Sequence, residues 1–339
     1  YPFRTHKSSP EIFLHGQIID QQSRMTMLSL ILVPRCRSNN TMPICVRDPW
    51  RVQYFENTSC PPETRIPVDD MDAWAWNKEH RWIYDRLAVA LSQKLPAGPH
   101  GAEPDAFPVF SKPITNLKGM GIGSRIIQTR AEYEKTYEAG HFWMPVLTGP
   151  HLSTDVAVID SKIVWARHAI GEPWRDGMFR FWKIMSEQDS SLLDTLTTWC
   201  KCNLYGYSGM VNFETIGGTI IEAHLRFADQ WCDLYGAGWT DALVKLYSDK
   251  VWRFDDSARR DGFSIPLFAD PAGTYKHPQA KKQAMIRAMP EISSLQITFH
   301  EKKSLDEQAR PPGGMRLALI NSWTLRGGID AIKQVATCF

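Results

Sequence analysis

The stretch from Gly209 to Arg226 constrains the fold of this chain most strongly. It contains two runs in which apolar and polar residues alternate, joined by Gly217-Gly218, a pair typical of a tight hairpin. Side chains alternate between the faces of a strand, so polar residues two apart share a face. The sequence therefore predicts an antiparallel hairpin in which five polar groups converge. These are Asn212 and Glu214 on the first strand, and Glu222, His224 and Arg226 on the second.

Glu222 is the key member of this group, because its neighbours Ile220, Ile221 and Ala223 indicate a strand that enters the interior. A buried carboxylate is costly unless something neutralises it. Magnesium, which prefers oxygen ligands, is one solution, and Asn212 could supply a second oxygen. The alternative is an ion pair between Glu222 and Arg226 or His224, with no metal.

A second motif suits phosphate binding. The predicted strand 107–114 carries Lys112-Pro113, and residues 116–124 form a glycine-rich loop. A lysine at a strand end is a fixed charge, and glycines let backbone N–H groups approach phosphate oxygens. The loop is neither a Walker A sequence nor a Rossmann fingerprint. The simpler alternative is a flexible hairpin beside a surface lysine. The loop residues singled out are Gly119, Gly121, Gly123 and Ser124.

Periodicity along the 339 residues predicts a mixed α/β (α+β) protein. The proline- and glycine-rich segment 94–108 marks a boundary. We predict an N-terminal α/β subdomain over 1–95, a lid lobe over 96–171 and a C-terminal lobe with the metal site over 172–339. Within the first subdomain, strands are predicted over 11–19, 25–34 and 42–55, and a helix over 73–93.

Composition restricts the partners. The net charge of +2 gives no reason to expect nucleic acid or an anionic membrane. The longest apolar run, residues 25–33, is too short to span a bilayer. Seven scattered cysteines, an odd number, favour reduced thiols and a cytoplasmic location. Because the chain does not begin with Met, we expect that it is a trimmed or partial sequence.

In this order along residues 85–230, the motifs resemble those of the ATP-grasp superfamily. In that family a Lys-Pro strand end precedes a glycine-rich lid, then an interlobe strand, then two strands with a Glu-x-Asn-x-Arg motif that hold magnesium. The resemblance implies a fold of two lobes that clasp magnesium and ATP, preceded by an N-terminal subdomain. It implies phosphate contacts for Arg86, Lys112 and the loop, and further nucleotide contacts for Met144, Leu147, His151 and Asp155. It implies metal ligands at Asn212, Glu222 and His224, with Glu214 as a substitute, and catalytic roles for Arg226 and Lys112.

The activity that the resemblance implies is ligation of a carboxylate to an amine through an acylphosphate, with ATP converted to ADP and phosphate. Its partners would be a small carboxylic acid, an amine and a second copy of the chain. Three residues depart from the family pattern. His224 stands where the family usually has Asn, Asn212 stands where many members have an acidic residue, and His151 stands where a Glu is often found. A small-molecule kinase and a nucleotide-binding protein with reduced catalysis stay open. The 13 tryptophans also leave open a carbohydrate- or peptide-binding module, although the sequence predicts Trp74, Trp76 and Trp82 as core.

Overall fold

The computed structural model of the protein describes residues 48–115, 123–174, 178–270, 272–303 and 315–339. All of them belong to one compact unit, residues 40–339. The predicted strands 11–19 and 25–34 lie outside the described residues, as do Gly119 and Gly121. The described part of the predicted strand 42–55 is instead a 3₁₀ helix, Pro49–Tyr54. Pro49 at its first position lacks an N–H and suits a helix start.

Seven α-helices occur in the described residues: α1 (Asp70–Trp76), α2 (Arg86–Ser92), α3 (Arg130–Lys135), α4 (Ser190–Asn203), α5 (Trp239–Asp249), α6 (Ala280–Arg287) and α7 (Leu325–Ala336). The first six strands are β1 (Gly98–Pro99), β2 (Val109–Pro113), β3 (Arg125–Ile127), β4 (His141–Pro145), β5 (His151–Ile159) and β6 (Lys162–Pro173). The other six are β7 (Phe179–Ile184), β8 (Gly209–Ile216), β9 (Thr219–His224), β10 (Gly262–Ala269), β11 (Ile292–Ile297) and β12 (Met315–Ser322).

These strands form two antiparallel sheets. The small sheet has the order β1-β4-β2-β3, and the large sheet has the order β11-β12-β10-β7-β6-β5-β8-β9. The large sheet includes the predicted hairpin, β8 and β9, at one edge. The division between the sheets falls between Pro145 and His151, earlier than the boundary predicted at residue 171, because β5 and β6 pair within the large sheet. The domain boundaries themselves stay predictions.

The single helix predicted over 73–93 is broken into two helices and a 3₁₀ turn. Asn77 is the C-cap of α1, and the turn Arg81–Tyr84 follows it. Asp85 then starts α2 by accepting a hydrogen bond from the N–H of Ala88. Polar caps compete with the helical ladder, so apolar spacing alone overestimated the length of the helix. The break places Asp70 and Arg86 each at the first residue of a helix.

Two apolar clusters cover the opposite faces of the large sheet. On one face, Trp199 of α4 packs in a cluster with Val156 and Phe213. On the other, Trp239 of α5 packs in a cluster that includes Ala157. Val156 and Ala157 are adjacent on β5, so their assignment to different clusters follows the alternation along a strand. Helix α7 covers a third cluster on β10, β11 and β12.

The prediction that Trp74, Trp76 and Trp82 belong to the core is correct only in part. Trp82 packs against the α4 cluster, with its ring centroid 5.9 Å from that of Trp199. Trp74 is 37% exposed, and the guanidinium of Arg81 lies 4.3 Å from its ring centroid. The prediction is therefore wrong for Trp74, which is covered by a cation instead of by the core. No helix in the described part of the chain is long and apolar enough to cross a membrane.

Candidate functional site

The hairpin of β8 and β9 places two glutamates opposite each other. Glu214 pairs in register with Glu222, and Asn212 with His224. One ligand atom from each of Glu214, Glu222 and His224 lies within 4.8 Å of the other two. Like charges directly opposite in a sheet repel, so this arrangement requires cations nearby. Three of the five predicted polar groups thus converge at one point.

Glu222 has cationic neighbours on both of its oxygens. Oε1 lies 2.7 Å from Nη2 of Arg86, and Oε2 lies 3.5 Å from Nε2 of His224. Burial would raise the pKa of the Glu222 carboxyl, but the hydrogen bond to His224 and the charges of Arg86 and Lys112 lower it below its ordinary value. Glu222 is therefore an ionised carboxylate in an enclosed site. Arg86 is only 4% exposed, so the first residue of α2 is held inside the site.

Lys112 links the small sheet to the large one. Its Nζ donates a hydrogen bond of 2.9 Å to the backbone carbonyl of Ile221, next to Glu222, and lies 5.8 Å from the ring centroid of Phe142. The side chain is 3% exposed, and burial lowers the pKa of its ammonium to about 8 although Glu222 partly opposes this. Lys112 and Arg86 thus place two positive charges beside Glu222.

Asp70 is a site residue that the sequence did not reveal. Its carboxylate accepts a hydrogen bond from Nη2 of Arg226 at 3.0 Å, forms an ion pair with Nε of the same side chain at 2.9 Å, and lies 3.0 Å from Nδ1 of His224. Tyr84 also donates to it, at 3.2 Å. The neighbouring Asp69 is the N-cap of α1 and could have indicated the start of this helix. It does not indicate in which direction the side chain of Asp70 points. Asp70 orients both Arg226 and His224.

His224 lies between Asp70 and Glu222. Burial would lower the pKa of this imidazole, but the charge of Asp70 and hydrogen bonds to Asp70 and Glu222 raise it to about 9. With both ring nitrogens protonated, His224 can donate to a carboxylate on either side. A protonated imidazole has no lone pair for a metal, so His224 would ligate a metal only after losing this proton, and its predicted metal contact stays a prediction.

Asn212 and Asp155 belong to a neighbouring buried network. Nδ2 of Asn212 donates to Ser153 at 2.9 Å and to Oδ1 of Asp155 at 2.7 Å. The carboxylate of Asp155 also accepts from the hydroxyl of Tyr235 at 2.7 Å and from the N–H of Ala228. Burial raises the pKa of Asp155 to about 6. The Asn212 amide is therefore directed to Asp155, and the predicted metal contact of Asn212 and nucleotide contact of Asp155 stay predictions.

The remaining predicted nucleotide contacts lie around the junction of the two sheets. His151 at the start of β5 has Nε2 3.3 Å from Glu214 Oε2, and its ring meets those of Phe179 and Trp182 edge to face. Met144 is buried, and Leu147 packs against the same small cluster. Gly123 has a positive φ of 79°, and Ser124 precedes β3. These contacts stay predictions too.

No protein-family model matches the sequence. A search among curated proteins also finds no match. The structure, in contrast, is similar to solved structures over most of its length. An L-amino acid ligase from Bacillus licheniformis has a TM-score of 0.57 at 11% identity, with 85% of this chain and 82% of that chain covered.

Two further solved structures are similar to this chain. A carboxyaminoimidazole ribonucleotide synthase from Aspergillus clavatus, complexed with ATP, has a TM-score of 0.56 at 11% identity, with 85% of each chain covered. A phosphoribosylglycinamide synthetase from Anaerococcus prevotii has a TM-score of 0.55 at 10% identity, with 85% of this chain and 84% of that chain covered. At 10–11% identity, these similarities show that the chain shares its fold with these proteins. The chain has the ATP-grasp fold, and the predicted α+β architecture is confirmed.

Proposed function

We propose that this protein is an ATP-dependent carboxylate–amine ligase that uses magnesium. One observation carries the proposal. At the junction of the two sheets, the cations Lys112 and Arg86 lie beside the acidic pair Glu214 and Glu222. Phosphoryl transfer needs positioning and charge neutralisation more than covalent help, and this site supplies positive groups for phosphates and oxygens for a metal.

The structural neighbours support the same class of reaction. They are named as a ligase, a synthase and a synthetase, and one of them is complexed with ATP. At 10–11% identity they share a fold with this chain, so the activity must be argued from its own residues. The argument for this activity is that the chain, which has an ATP-grasp fold, contains in this order Lys112, Glu214, Glu222 and Arg226.

Magnesium fits the acidic pair. Glu214 and Glu222 offer the oxygen ligands that this hard cation prefers, and neutralising them would relieve their repulsion. Nε2 of His224 is buried and lies 3.5 Å from Oε2 of Glu222, a distance longer than that of a short hydrogen bond. A metal ion held by Glu214 and Glu222 would neutralise charge on the phosphates of ATP. His224, as a cation, would complement the site without ligating.

The other residues have roles that follow from their partners. Lys112 and Arg86 would neutralise phosphate oxygens, as two fixed positive charges in a buried site. Arg226, oriented by a hydrogen bond and an ion pair with Asp70, would steady the transferring group and the acylphosphate. The acid attacks the γ-phosphate of ATP and ADP leaves. The neutral amine nitrogen then attacks the acyl carbon, the bond from that carbon to the phosphate oxygen breaks, and the nitrogen loses a proton, so that an amide, free phosphate and a proton form.

A second candidate is a nucleotide-binding protein with reduced turnover. The observation that favours it is the position of the His224 ring, whose nitrogens lie 3.0 Å from Asp70 and 3.5 Å from Glu222, between the two carboxylates. Glu214 and Glu222 offer oxygens at one point, whereas Asn212 directs its Nδ2 to Asp155. A site with fewer oxygens holds magnesium less tightly.

The deciding experiment measures ADP and phosphate release from ATP and magnesium, with a panel of amino acids and small acids. Phosphate release that requires both an acid and an amine is the result we expect. ADP formed together with a phosphorylated alcohol, without free phosphate, would instead identify a kinase. Calorimetric binding of ATP with no turnover on the whole panel would favour the second candidate. A cytoplasmic location and a homodimer are part of the same proposal.

A further inference from the structure

The side-chain amide of Asn212 is held from one side by two residues of β5. Its Nδ2 donates a hydrogen bond of 2.7 Å to Oδ1 of Asp155 and one of 2.9 Å to Oγ of Ser153. An amide nitrogen has two hydrogens, so these two bonds use both of them. The nitrogen and oxygen of the amide lie on opposite sides of the Cβ–Cγ bond. Because β8 lies between β5 and β9, Oδ1 of Asn212 therefore faces the β9 side.

The β9 side is where the acidic pair lies. Asn212 pairs in register with His224, and Glu214, two residues further along β8, pairs with Glu222. Residues two apart on a strand share a face, so Asn212 and Glu214 project from the same face of the sheet. An amide oxygen on this side can join the oxygens of Glu214 and Glu222 as a ligand of the kind that magnesium prefers.

Asp155 determines which end of the amide faces β5. An ionised carboxylate only accepts hydrogen bonds, whereas a serine hydroxyl both donates and accepts. Ser153 is therefore compatible with either orientation of the Asn212 amide, and Asp155 is compatible with one. Burial raises the pKa of the Asp155 carboxyl to about 6, so the group is ionised above that pH.

A carboxylate is a costly side chain to bury at position 155. Asp155 is 1% exposed, and within the described ranges it forms no ion pair that would offset the loss of hydration. Its other donors are Tyr235 Oη at 2.7 Å and the N–H of Ala228, and the oxygen of an asparagine could accept from both. An asparagine could not fix the Asn212 amide, because it also carries an N–H group. The charge at position 155 is thus explained by the orientation of Asn212.

We propose that Asp155 is a positioning residue, which fixes the Asn212 amide so that its carbonyl oxygen faces a metal ion held by Glu214 and Glu222. Residues that orient metal ligands in this way typically contribute about 10–100-fold to metal affinity. Asp155 acts through Asn212 and not by contact with the nucleotide. That the metal is magnesium and serves ATP rests on the proposed function.

The test is binding of Mn²⁺ to the full chain with ADP present, followed by loss of the electron paramagnetic resonance signal of free Mn²⁺. This ion accepts the same oxygen ligands as Mg²⁺. Asp155→Asn keeps the shape of the side chain but lets the Asn212 amide turn, so the Kd for Mn²⁺ should rise by about 10-fold. Ser153→Ala is the matched control. It removes the other acceptor of the same amide and leaves Asp155 in place, so it should keep the wild-type Kd.

The double variant Asp155→Asn with Asn212→Asp exchanges the two side chains. The new amide at position 155 can donate to the new carboxylate at position 212, whose second oxygen then faces the metal in either orientation. The Kd for Mn²⁺ should therefore return to the wild-type value or below it. Asn212→Asp alone completes the cycle, because an added carboxylate can tighten metal binding by itself. Its gain in affinity should be larger in the Asp155→Asn protein than in wild type.

Three results would overturn the inference: an unchanged Kd in Asp155→Asn, equal losses in Asp155→Asn and Ser153→Ala, or an equal gain from Asn212→Asp in both backgrounds. If Asp155→Asn does not fold, the double variant decides. It supports the inference by binding Mn²⁺ as tightly as wild type, and a folded double variant that binds none overturns it.

The inference and the proposed function can fail separately. The expected pattern of Kd values without phosphate release from any acid and amine would retain the role of Asp155 and remove the ligase. Phosphate release that requires an acid and an amine, together with an unchanged Kd in Asp155→Asn, would do the reverse. A wild-type protein that binds no Mn²⁺ in the presence of ADP would overturn both the inference and the magnesium site.

Discussion

The residues of the site form a row of alternating charges. Lys112 and Arg86 flank Glu222, His224 separates Glu222 from Asp70, and Arg226 closes the row on the other side of Asp70. Each ionised group here has an opposite charge within reach, which is what makes the burial of so many charges tolerable. Removing one member leaves its neighbours unpaired, so single substitutions should have effects larger than their size suggests.

Lys112→Ala should reduce kcat/KM for ATP consumption by on the order of 100-fold, because a preorganised positive charge is lost where phosphates bind. The matched control is Lys333→Ala on α7, an exposed lysine, which should act as wild type. ADP release with an acid and an amine is the measurement. Near-normal turnover of the Lys112 variant would remove this residue from the proposed phosphate contacts.

Asp70→Asn should destabilise the protein by about 3–5 kcal/mol, the usual cost of removing one partner from a buried ion pair. The variant leaves Arg226 and His224 as neighbouring buried cations without their shared counter-ion. Urea unfolding of both proteins measures the difference. Asp330→Asn, at an exposed helix pair with Arg326, should change stability by less than about 1 kcal/mol. Equal stability of Asp70→Asn and wild type would contradict the structure.

His224 should make stability fall as pH rises. Its folded pKa is raised to about 9 from an ordinary 6.5, so its stabilisation is complete below pH 6.5 and is lost as pH rises through 9. The difference in unfolding free energy between wild type and His224→Gln should therefore shrink between pH 6.5 and 8, in metal-free protein. Lys112, whose pKa is lowered to about 8, is present in both proteins, so the two proteins are compared at each pH instead of following wild type alone. A pH-independent difference would contradict a charged His224.

At the scale of elements, the hairpin turn packs closely against the link between the two sheets. The N–H of Gly217 donates to the carbonyl of Pro150, in the link between the small sheet and β5. Gly217 has a φ of 56°, and a Cβ at this position would collide with the carbonyl oxygen of Thr148. Gly218 has a φ of 84° with open space around it. The two glycines therefore have the same backbone requirement and different surroundings.

This pair of glycines gives a matched test. Gly218→Ala should cost about 1–2 kcal/mol, from the left-handed backbone alone. Gly217→Ala should cost at least about 1 kcal/mol more, because the link at Thr148 must also move. Urea unfolding measures both values. If the two variants were equally stable, the hairpin would not be held against the link between the sheets.

Much of the hairpin site could be predicted from sequence because it depends on local rules. The alternation of residues along β8 and β9 predicts which side chains share a face, and Gly217-Gly218 predicts the turn. Asp70 could not be predicted, because its approach to Arg226 depends on how α1 packs against a strand more than 150 residues away. The orientation of the Asn212 amide depends on Asp155, which lies on a different strand of the sheet.

At the scale of the whole molecule, the sequence does not reveal to which sheet a strand belongs, for a similar reason. β5 and β6 follow the small sheet in sequence, and only their pairing with β8 and β7 assigns them to the large one. The predicted strand 107–114 contains β2, and the predicted hairpin corresponds to β8 and β9, because each of these segments has a local pattern or turn of its own. The fold class thus follows from local patterns, whereas membership in a lobe follows from long-range pairing.

The bond from Lys112 to the Ile221 carbonyl has a consequence for the energetics of nucleotide binding. An ammonium group has three donor hydrogens, and this bond uses one to hold the lysine in place before any ligand arrives. The buried lysine is already restricted to few rotamers. Its side chain therefore loses little further entropy when a phosphate binds the two remaining donor hydrogens. Affinity gained in this way comes from rigidity of the empty protein and needs no additional contact with the ligand.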